Sequence, residues 1–93
     1  GDRSIFSFIR HSEENKKNLL FVCNFTPMAR DDYRVGVPRR KQYKLILNSD
    51  EKKYGGKGEE RPLVYKAVKG ECDGRPFSFA YKLPPYGVAV FEF

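Results

Sequence analysis

The chain has one histidine, His11, and two cysteines, Cys23 and Cys72, in 93 residues. A Ser-His-Asp or Cys-His arrangement would have to use His11, which lies in a charged turn segment where nothing in the sequence orders it. One histidine and two distant cysteines also fall short of the four ligands of a usual structural zinc site. The sequence therefore predicts no nucleophilic catalytic centre, no metal site and no cofactor.

Long apolar runs are also missing. The longest, residues 19–23, has five residues, whereas a helix that spans a bilayer needs about 20. There is no basic leader followed by an apolar run and a small-residue cleavage site, so we expect a soluble, cytoplasmic protein with reduced cysteines and no membrane partner. Because the chain starts at Gly1 and its only methionine is Met28, we also expect a piece of a longer polypeptide.

The charge balance raises one alternative. Lysine and arginine number 18 against 12 aspartate and glutamate, giving a net charge of +6, and aromatic residues make up 15% of the chain. Basic charge with aromatics is typical of many nucleic-acid-binding domains. The basic residues are scattered, however, and the longest basic run is only residues 39–41, so we expect a mildly basic, solvated surface and no nucleic-acid partner.

The acidic residues do not predict a catalytic pair. Chemistry at a glycosidic bond generally needs two facing carboxylates, about 5–5.5 Å apart in a retaining enzyme. Most acids here are adjacent pairs in turns and loops, and neighbouring side chains of an extended segment point to opposite sides. The glycines at 55, 56 and 58 lack the spacing of a phosphate-binding loop. We therefore predict that this chain is not an enzyme by itself.

The apolar pattern predicts strands throughout. Short apolar or alternating runs are bounded by polar, glycine or proline turns, and no segment carries a sustained helical stripe. A polar turn at residues 11–17 predicts a hairpin between the first two runs, and residues 49–62 form the long loop. The predicted fold is all-β, a single antiparallel β-sandwich of about seven to eight strands of Greek-key type. The predicted runs are residues 4–10, 18–24, 33–37, 42–48, 63–68, 76–83 and 87–93.

Alternation within the last two runs predicts which side chains are buried. A strand places successive side chains on opposite faces, so one face is expected to be apolar and the other more polar. The predicted sets are Phe77, Phe79 and Tyr81 against Ser78, Ala80 and Lys82, and Val88, Val90 and Glu92 against Ala89, Phe91 and Phe93.

Several short sequence motifs, taken with their order and spacing, resemble those of a known family. The most specific are Asn-Phe-Thr-Pro at 24–27 and Leu-Asn-Ser-Asp at 47–50, followed by Tyr-Gly-Gly at 54–56. The ordered set resembles the C-terminal domain of bacterial-type glycogen (1,4-α-glucan) branching enzymes, within the α-amylase superfamily. One departure is Tyr86, where the family more often has leucine. The other matching segments are residues 8–10, 22–23, 33–38, 74–78 and 83–85.

The resemblance implies that residues 1–93 form an α-amylase-type C-terminal β-sandwich that follows a catalytic TIM barrel. The parent enzyme of glycogen biosynthesis would cleave an α-1,4 glucan segment, hold it as a covalent glycosyl-enzyme and transfer it to a 6-hydroxyl as an α-1,6 branch. In such enzymes the nucleophilic aspartate and the acid/base glutamate lie on the barrel. No catalytic residue is therefore carried over to this chain.

Two roles follow for such a domain. In the first, one apolar face of the sandwich packs on the barrel and stabilises it, and Phe6, Phe8, Phe91 and Phe93 belong to strands that need cover. In the second, exposed tyrosines stack on the sugar rings of α-glucan chains, with Asn48 and Asp50 as polar partners; the candidates are Tyr33, Tyr54, Tyr65 and Tyr86. We favour the alternative that these tyrosines are half-buried in the sandwich. The candidate contacts with glucan or barrel are Asn48, Asp50, Tyr54, Gly55, Gly56, Tyr33 and Tyr86.

Overall fold

The structure, a computed structural model, describes residues 4–14 and 16–93. Eight strands and one short 3-10 helix, Lys52–Tyr54, make up its regular elements. The Asp-Gly pair between the sixth and seventh strands adopts positive φ at both residues, 50° and 78°, which is the geometry of a tight two-residue hairpin. The strands are β1 Ile5–His11, β2 Asn18–Asn24, β3 Arg30–Val37, β4 Gln42–Asn48, β5 Val64–Lys66, β6 Val68–Cys72, β7 Arg75–Leu83 and β8 Gly87–Glu92.

The strands form two antiparallel sheets. The large sheet has the order β1-β2-β8-β4-β5 and the small sheet the order β3-β7-β6. β1 and β2 pair along their whole length, which confirms the predicted hairpin. The predicted all-β sandwich is confirmed, with eight strands. In the part of the chain that the structure describes, we find no helix with the length and apolar character to cross a membrane.

The predicted single run at 63–68 was wrong, because the structure divides it between the two sheets. β5 pairs with β4 in the large sheet, whereas β6 pairs with β7 in the small sheet. Ala67 lies between them, is buried, and donates its backbone N–H to the carbonyl of Lys41 at 3.1 Å. The chain passes from the large sheet to the small sheet at Ala67, where its small side chain fits between them. Apolar periodicity alone does not reveal this change of sheet.

The core between the sheets is rich in aromatic rings. Phe91 lies at its centre, with its ring centroid 5.1 Å from that of Phe79 and 5.1 Å from that of Tyr81. Tyr43 stacks on Phe79 at 5.4 Å, and Tyr65 contacts Phe79, Tyr81 and Phe91 at 5.3–5.6 Å. Aromatic pairs at these distances contribute about 0.5–1.5 kcal/mol each beyond their burial. The aliphatic part of the core includes Leu20, Val22, Val35, Val37 and Leu83.

The predicted alternation holds on the inner faces and fails on part of the outer ones. Four residues of the predicted inner faces are buried in the core: Phe79, Tyr81, Ala89 and Phe91. Ser78 is nevertheless 1% exposed, although it lies on the outer face of β7. The Arg34 side chain covers it and donates to its hydroxyl at 2.7 Å, and Gly70 lies beside the same hydroxyl. Burial of this residue depends on a neighbouring strand, so alternation within β7 could not predict it.

Both cysteine side chains are free thiols. Cys23 is buried on β2, and Cys72 ends β6 with its Sγ 3.4 Å from the carbonyl oxygen of Arg34. Burial raises the pKa of both thiols, and at Cys72 the nearby Asp73 and Glu71 carboxylates raise it further. Both thiols are therefore poor nucleophiles at neutral pH.

Candidate functional site

Most of the predicted contact residues meet at one end of the sandwich. Three loops converge there: residues 25–29 between β2 and β3, residues 49–63 between β4 and β5, and residues 84–86 between β7 and β8. We call this the loop end. It carries Asn48, Asp50, Tyr54, Gly55, Gly56 and Tyr86, whereas Tyr33 lies elsewhere.

Asn24 joins two of the loops. It is fully buried, and its side-chain amide donates to the carbonyls of Met28 at 3.0 Å and Pro84 at 2.9 Å. Its side-chain oxygen accepts the backbone N–H and the hydroxyl of Thr26, at 3.0 and 2.7 Å. An amide can meet all these demands at once because it has two donors and an acceptor. The Asn-Phe-Thr-Pro segment is thus a structural device that holds the first and third loops together.

Asn48 and Ser49 start the long loop in a similar way. The Asn48 side-chain oxygen accepts the backbone N–H of Asp50 at 3.0 Å, which is a local turn typical of asparagine. The Ser49 hydroxyl accepts the backbone N–H of Val88 at 2.8 Å, and Ser49 N–H donates back to the Val88 carbonyl at 3.0 Å. Asn48 is 6% exposed, so its side chain serves the fold of the loop.

Asp50 holds the rest of the loop. Its carboxylate accepts the backbone N–H of Lys57 at 3.2 Å and of Glu59 at 3.3 Å, and it pairs with the Arg61 guanidinium at 2.7 Å. The two charged side chains are only 8% and 2% exposed. Burial alone would raise the pKa of Asp50, but the Arg61 guanidinium and the two backbone donors outweigh burial and lower it. The carboxylate is ionised and internally satisfied.

Arg61 is itself tied to the small sheet. Its Nε donates to the carbonyl of Lys82 at 2.7 Å, and its guanidinium carbon lies 5.6 Å from the ring centroid of Tyr81. The long loop is therefore anchored to β7 by a buried cation that bridges Asp50 and the β7 backbone. Sequence alone could not have paired residues 50 and 61, because loop conformation decides which of the nearby cations reaches the carboxylate.

The two glycines of the Tyr-Gly-Gly segment are required for different structural reasons. Gly55 ends the short 3-10 helix with φ of 85°, a conformation that glycine adopts without strain. The backbone at Gly56 lies close to that of Asp50: a Cβ atom at position 56 would lie 2.2 Å from the carbonyl oxygen of Asp50. The loop therefore needs glycine at both positions, once for conformation and once for space.

Tyr54 and Tyr86 face solvent across a small hollow. The two residues are 54% and 69% exposed. The hollow has a volume of about 210 Å³, and its remaining lining is formed by Ser49, Asp50, Gly55, Gly56, Pro84 and Pro85. The interpretation of the tyrosines as half-buried core residues was therefore wrong for these two. It holds for Tyr65, which packs against the core.

Backbone geometry presents Tyr86 outward. Its φ is 48°, in the left-handed region that a bulky residue rarely adopts. Its backbone N–H donates to the Thr26 carbonyl at 3.0 Å, so the turn after Pro84 and Pro85 is fixed to the first loop. On the other side of the hollow, the Lys53 ammonium lies 5.2 Å from the centroid of the Tyr54 ring and 3.3 Å from the Glu51 carboxylate. The backbone that carries Tyr86 is thus fixed to the first loop, and the Tyr54 ring is in contact with Lys53.

Tyr33 lies on β3 and packs partly buried against the core. It lines a different cleft, of about 520 Å³, between the edge strands of the two sheets. Two arginines of that cleft are engaged in the fold: Arg34 with Ser78, and Arg75 with the Gly36 carbonyl at 3.0 Å. The structure therefore separates Tyr33 from the other predicted contact residues.

The outer face of the large sheet carries a cluster of apolar side chains. The rings of Phe8 and Phe21 stack with centroids 4.8 Å apart and an interplanar angle of 3°. Phe6 contacts Phe25 at 5.4 Å, and Phe25 is 58% exposed. We call this surface the outer apolar face, formed by Phe6, Phe8, Phe21, Phe25, Ile46, Leu47, Val88 and Val90.

Strand register shows that this face is continuous. Phe8 pairs with Phe21, Phe21 with Val90, and Val90 with Leu47, giving one apolar row across β1, β2, β8 and β4. A bulge between Leu45 and Leu47 turns both Ile46 and Leu47 outward, where they are 49% and 37% exposed. Alternation in β4 could not predict two consecutive exposed apolar residues.

The phenylalanines near the chain ends divide between two environments. Phe6 and Phe8 lie on the outer apolar face and remain more than a third exposed. Phe91 is fully buried in the core, and Phe93 packs against it. The small sheet therefore covers Phe91 and Phe93. Their strand β8 presents Val88 and Val90 to the outer apolar face, so β1 and β8 both contribute to the surface that is expected to need cover.

The outer face of the small sheet is different in character. It carries Arg34, Ser78, Ala80 and Lys82, with Val68 as an exposed apolar residue beside Ser78. The basic turn at residues 39–41 lies at the opposite end of β4 from the loop end, next to Lys66. Among the described residues, no three histidine, cysteine, aspartate or glutamate side chains group as metal ligands.

Comparison with known proteins decides the family. Residues 1–93 match the family model described as the α-amylase C-terminal all-β domain. The chain belongs to this family. The match extends over the full length of the given chain, and the all-β description agrees with the two antiparallel sheets of the structure.

Curated relatives of this α-amylase C-terminal domain are named 1,4-α-glucan branching enzymes. The chain is 48% identical over 92 residues to the one of Butyrivibrio fibrisolvens, 43% over 91 residues to one of Clostridium perfringens (strain SM101 / Type A), and 40% over 89 residues to that of Bacillus subtilis (strain 168). The alignments cover 99%, 98% and 96% of this chain. The chain spans 14% of the length of each of these relatives.

Proposed function

We propose that this chain is the non-catalytic C-terminal domain of a cytoplasmic 1,4-α-glucan branching enzyme, and that its outer apolar face packs on the catalytic barrel of the same polypeptide. The observation that carries the proposal is the continuous row Phe8, Phe21, Val90 and Leu47, flanked by exposed Phe6, Phe25 and Ile46. Contiguous apolar patches on soluble domains mark surfaces that another protein surface covers.

The asymmetry between the two sheets supports this orientation. The small sheet presents Arg34 and Lys82 to its outer side, whereas the middle rows of the large sheet present only apolar side chains. Charged side chains appear at the end of the large sheet, in the row that joins Arg10 to Leu19, Leu19 to Glu92 and Glu92 to Lys44. An apolar centre with a charged margin is typical of domain interfaces.

The energetic gain from covering this face is modest for each residue and useful in sum. Full burial of a large apolar side chain is worth about 1.5–3 kcal/mol. The exposed fraction lies between 37% and 49% for Phe8, Leu47 and Ile46. Covering each of these residues would therefore contribute about 1 kcal/mol. Several such residues would stabilise the two domains against each other by a few kcal/mol.

A matched pair of substitutions tests the docking. Leu47 on the outer apolar face and Val68 on the other sheet are both exposed strand residues, at 37% and 47%. In the intact enzyme Leu47→Lys is expected to lower the melting temperature by several degrees, because it places a charge in the interface, whereas Val68→Lys is expected to change it little. In the 93-residue chain alone the two variants should differ little. Equal effects of both variants in the intact enzyme would contradict the proposal.

The branching reaction itself would belong to the rest of the enzyme. The 93-residue chain, incubated with amylose, is expected to leave the iodine-staining spectrum unchanged, whereas the intact enzyme shifts it as branches form. A spectral shift produced by the chain alone would overturn the assignment of all catalysis to the barrel.

A further inference from the structure

The hollow between Tyr54 and Tyr86 has the features of a surface site for a neutral sugar. Its lining includes two exposed aromatic side chains together with Gly55, Gly56 and the Pro84-Pro85 pair. Aromatic rings offer flat apolar faces on which the C–H face of a pyranose can pack. A volume of about 210 Å³ is below the roughly 300–1,000 Å³ of sites that enclose drug-sized ligands.

The one charge of the hollow is already paired, which argues against a charged ligand. Asp50 is the one charged residue of the lining, and its carboxylate is bound to Arg61 and to two backbone N–H groups. The Ser49 hydroxyl accepts a backbone N–H. What remains for recognition is the two tyrosine rings, their hydroxyl groups, and the turns that carry them.

The hollow is also preorganised. Tyr54 lies on the 3-10 helix of the long loop, which the Asp50–Arg61 pair anchors to β7, and Tyr86 lies in a turn fixed by its hydrogen bond to Thr26. Binding to side chains that a fixed backbone carries costs less conformational entropy than binding that must first order a loop. Tyr86 is 69% exposed although its φ of 48° carries a conformational cost.

We propose that Tyr54 and Tyr86 form a surface subsite that holds an α-1,4-linked glucan chain by stacking on one or two of its sugar rings. This inference rests on the proposed function, because 1,4-α-glucan is the polymer in the names of the relatives. Asn48 and Asp50 are positioning residues in it, since the Asn48 side-chain oxygen and the Asp50 carboxylate bind the backbone of the loop. Tyr33 is outside the subsite.

The test uses the intact enzyme with maltoheptaose and a site-resolved readout. Hydroxyl-radical labelling of the tyrosines, followed by peptide mass spectrometry, is expected to show Tyr54 and Tyr86 labelled in the free enzyme and protected at millimolar sugar, with Tyr33 unchanged. Retardation of the enzyme in native gels containing amylopectin gives the affinity. Tyr54→Ala and Tyr86→Ala should each weaken retardation about three- to tenfold, whereas Tyr54→Phe and Tyr86→Phe should retain most of it.

The outcomes separate this inference from the proposed function. Unchanged labelling and unchanged retardation in the alanine variants would overturn the sugar subsite. If the two tyrosines are already protected without sugar, and the alanine variants lower the melting temperature of the intact enzyme, the hollow contacts the rest of the enzyme and the subsite is overturned while the domain docking stands. Failure of the Leu47→Lys test would instead contradict the docking and leave the labelling result as it is.

Discussion

Replacing Arg61 by methionine is expected to destabilise the 93-residue chain by about 3–5 kcal/mol, the usual cost of removing one partner of a buried ion pair. The Arg61 and Asp50 side chains are 2% and 8% exposed, with 2.7 Å between their charged atoms. Methionine keeps an apolar side chain over the Tyr81 ring but leaves the Asp50 carboxylate buried with only two backbone donors, at 3.2 and 3.3 Å. The bond from Arg61 to the Lys82 carbonyl is lost as well.

The size of this effect can be compared with a neighbouring pair of the same chemistry. Lys82 and Glu59 lie 3.2 Å apart, but their side chains are 43% and 46% exposed. Exposed pairs contribute about 0–1 kcal/mol, so Lys82→Met should change the stability by less than 1 kcal/mol. Lys82→Met leaves the backbone carbonyl that accepts from Arg61 in place, which makes it a control for the side-chain pair alone.

Urea unfolding followed by circular dichroism measures both variants. With a slope of about 1.5–2 kcal/mol/M for a chain of this size, Arg61→Met should lower the midpoint by about 2 M and Lys82→Met by less than about 0.5 M. Adding Asp50→Asn to Arg61→Met should recover part of the loss, because it removes the stranded charge. If Arg61→Met costs no more than Lys82→Met, the buried pair does not hold the loop.

Three further predictions concern the same end of the domain. Gly56→Ala should cost about 2–3 kcal/mol, because its Cβ would lie 2.2 Å from the Asp50 carbonyl oxygen, whereas Gly55→Ala should cost about 1 kcal/mol for its φ of 85° alone. Tyr81→Phe should stabilise the chain by about 1 kcal/mol, since the Tyr81 hydroxyl is buried without a hydrogen-bond partner among the described residues. Stability should fall as the pH drops below the ordinary Asp50 pKa of 3.8, because the pKa of Asp50 is lowered in the folded state and its contribution is lost as the pH falls through that lower value.

A specific result would contradict each of these three predictions. Equal losses of stability in Gly56→Ala and Gly55→Ala would mean that the backbone at Gly56 does not lie close to Asp50. A loss of stability in Tyr81→Phe would show that the hydroxyl has a partner, such as an ordered water. For the acid limb, the Asp50→Asn variant should lose less stability between pH 4 and pH 2 than the unchanged chain, and equal losses would exclude Asp50 as a source of the effect.

Most of the strands were predictable from the sequence because their segments carry their own evidence, the exceptions being β5 and β6. Residues 18–24 combine an apolar run with polar ends, and the structure places β2 at Asn18–Asn24. The Asp-Gly pair at 73–74 is a tight-turn sequence, and it forms the hairpin between β6 and β7. The family resemblance added what periodicity could not, because it rests on turn motifs whose physical role becomes visible only in the loops.

The features that sequence reasoning missed all depend on contacts between distant segments. The change of sheet at Ala67, the covered hydroxyl of Ser78 and the bulge at Ile46 follow from neighbours that are remote in sequence. Among the candidate contacts, nothing local shows that Asp50 is satisfied by Arg61 while Tyr54 and Tyr86 remain exposed. Tertiary packing therefore decides which motif residues support the loop end and which can bind a ligand.

The central claim, that the outer apolar face is covered in the intact enzyme, is tested most directly by comparing side-chain solvent access in two proteins. Hydroxyl-radical labelling of Phe8 and Phe25 should be strong in the 93-residue chain, where they are 37% and 58% exposed, and should fall severalfold in the intact enzyme. Labelling of Val68 on the other sheet should be similar in both. Equal labelling of the two phenylalanines in the chain and in the intact enzyme would contradict the account.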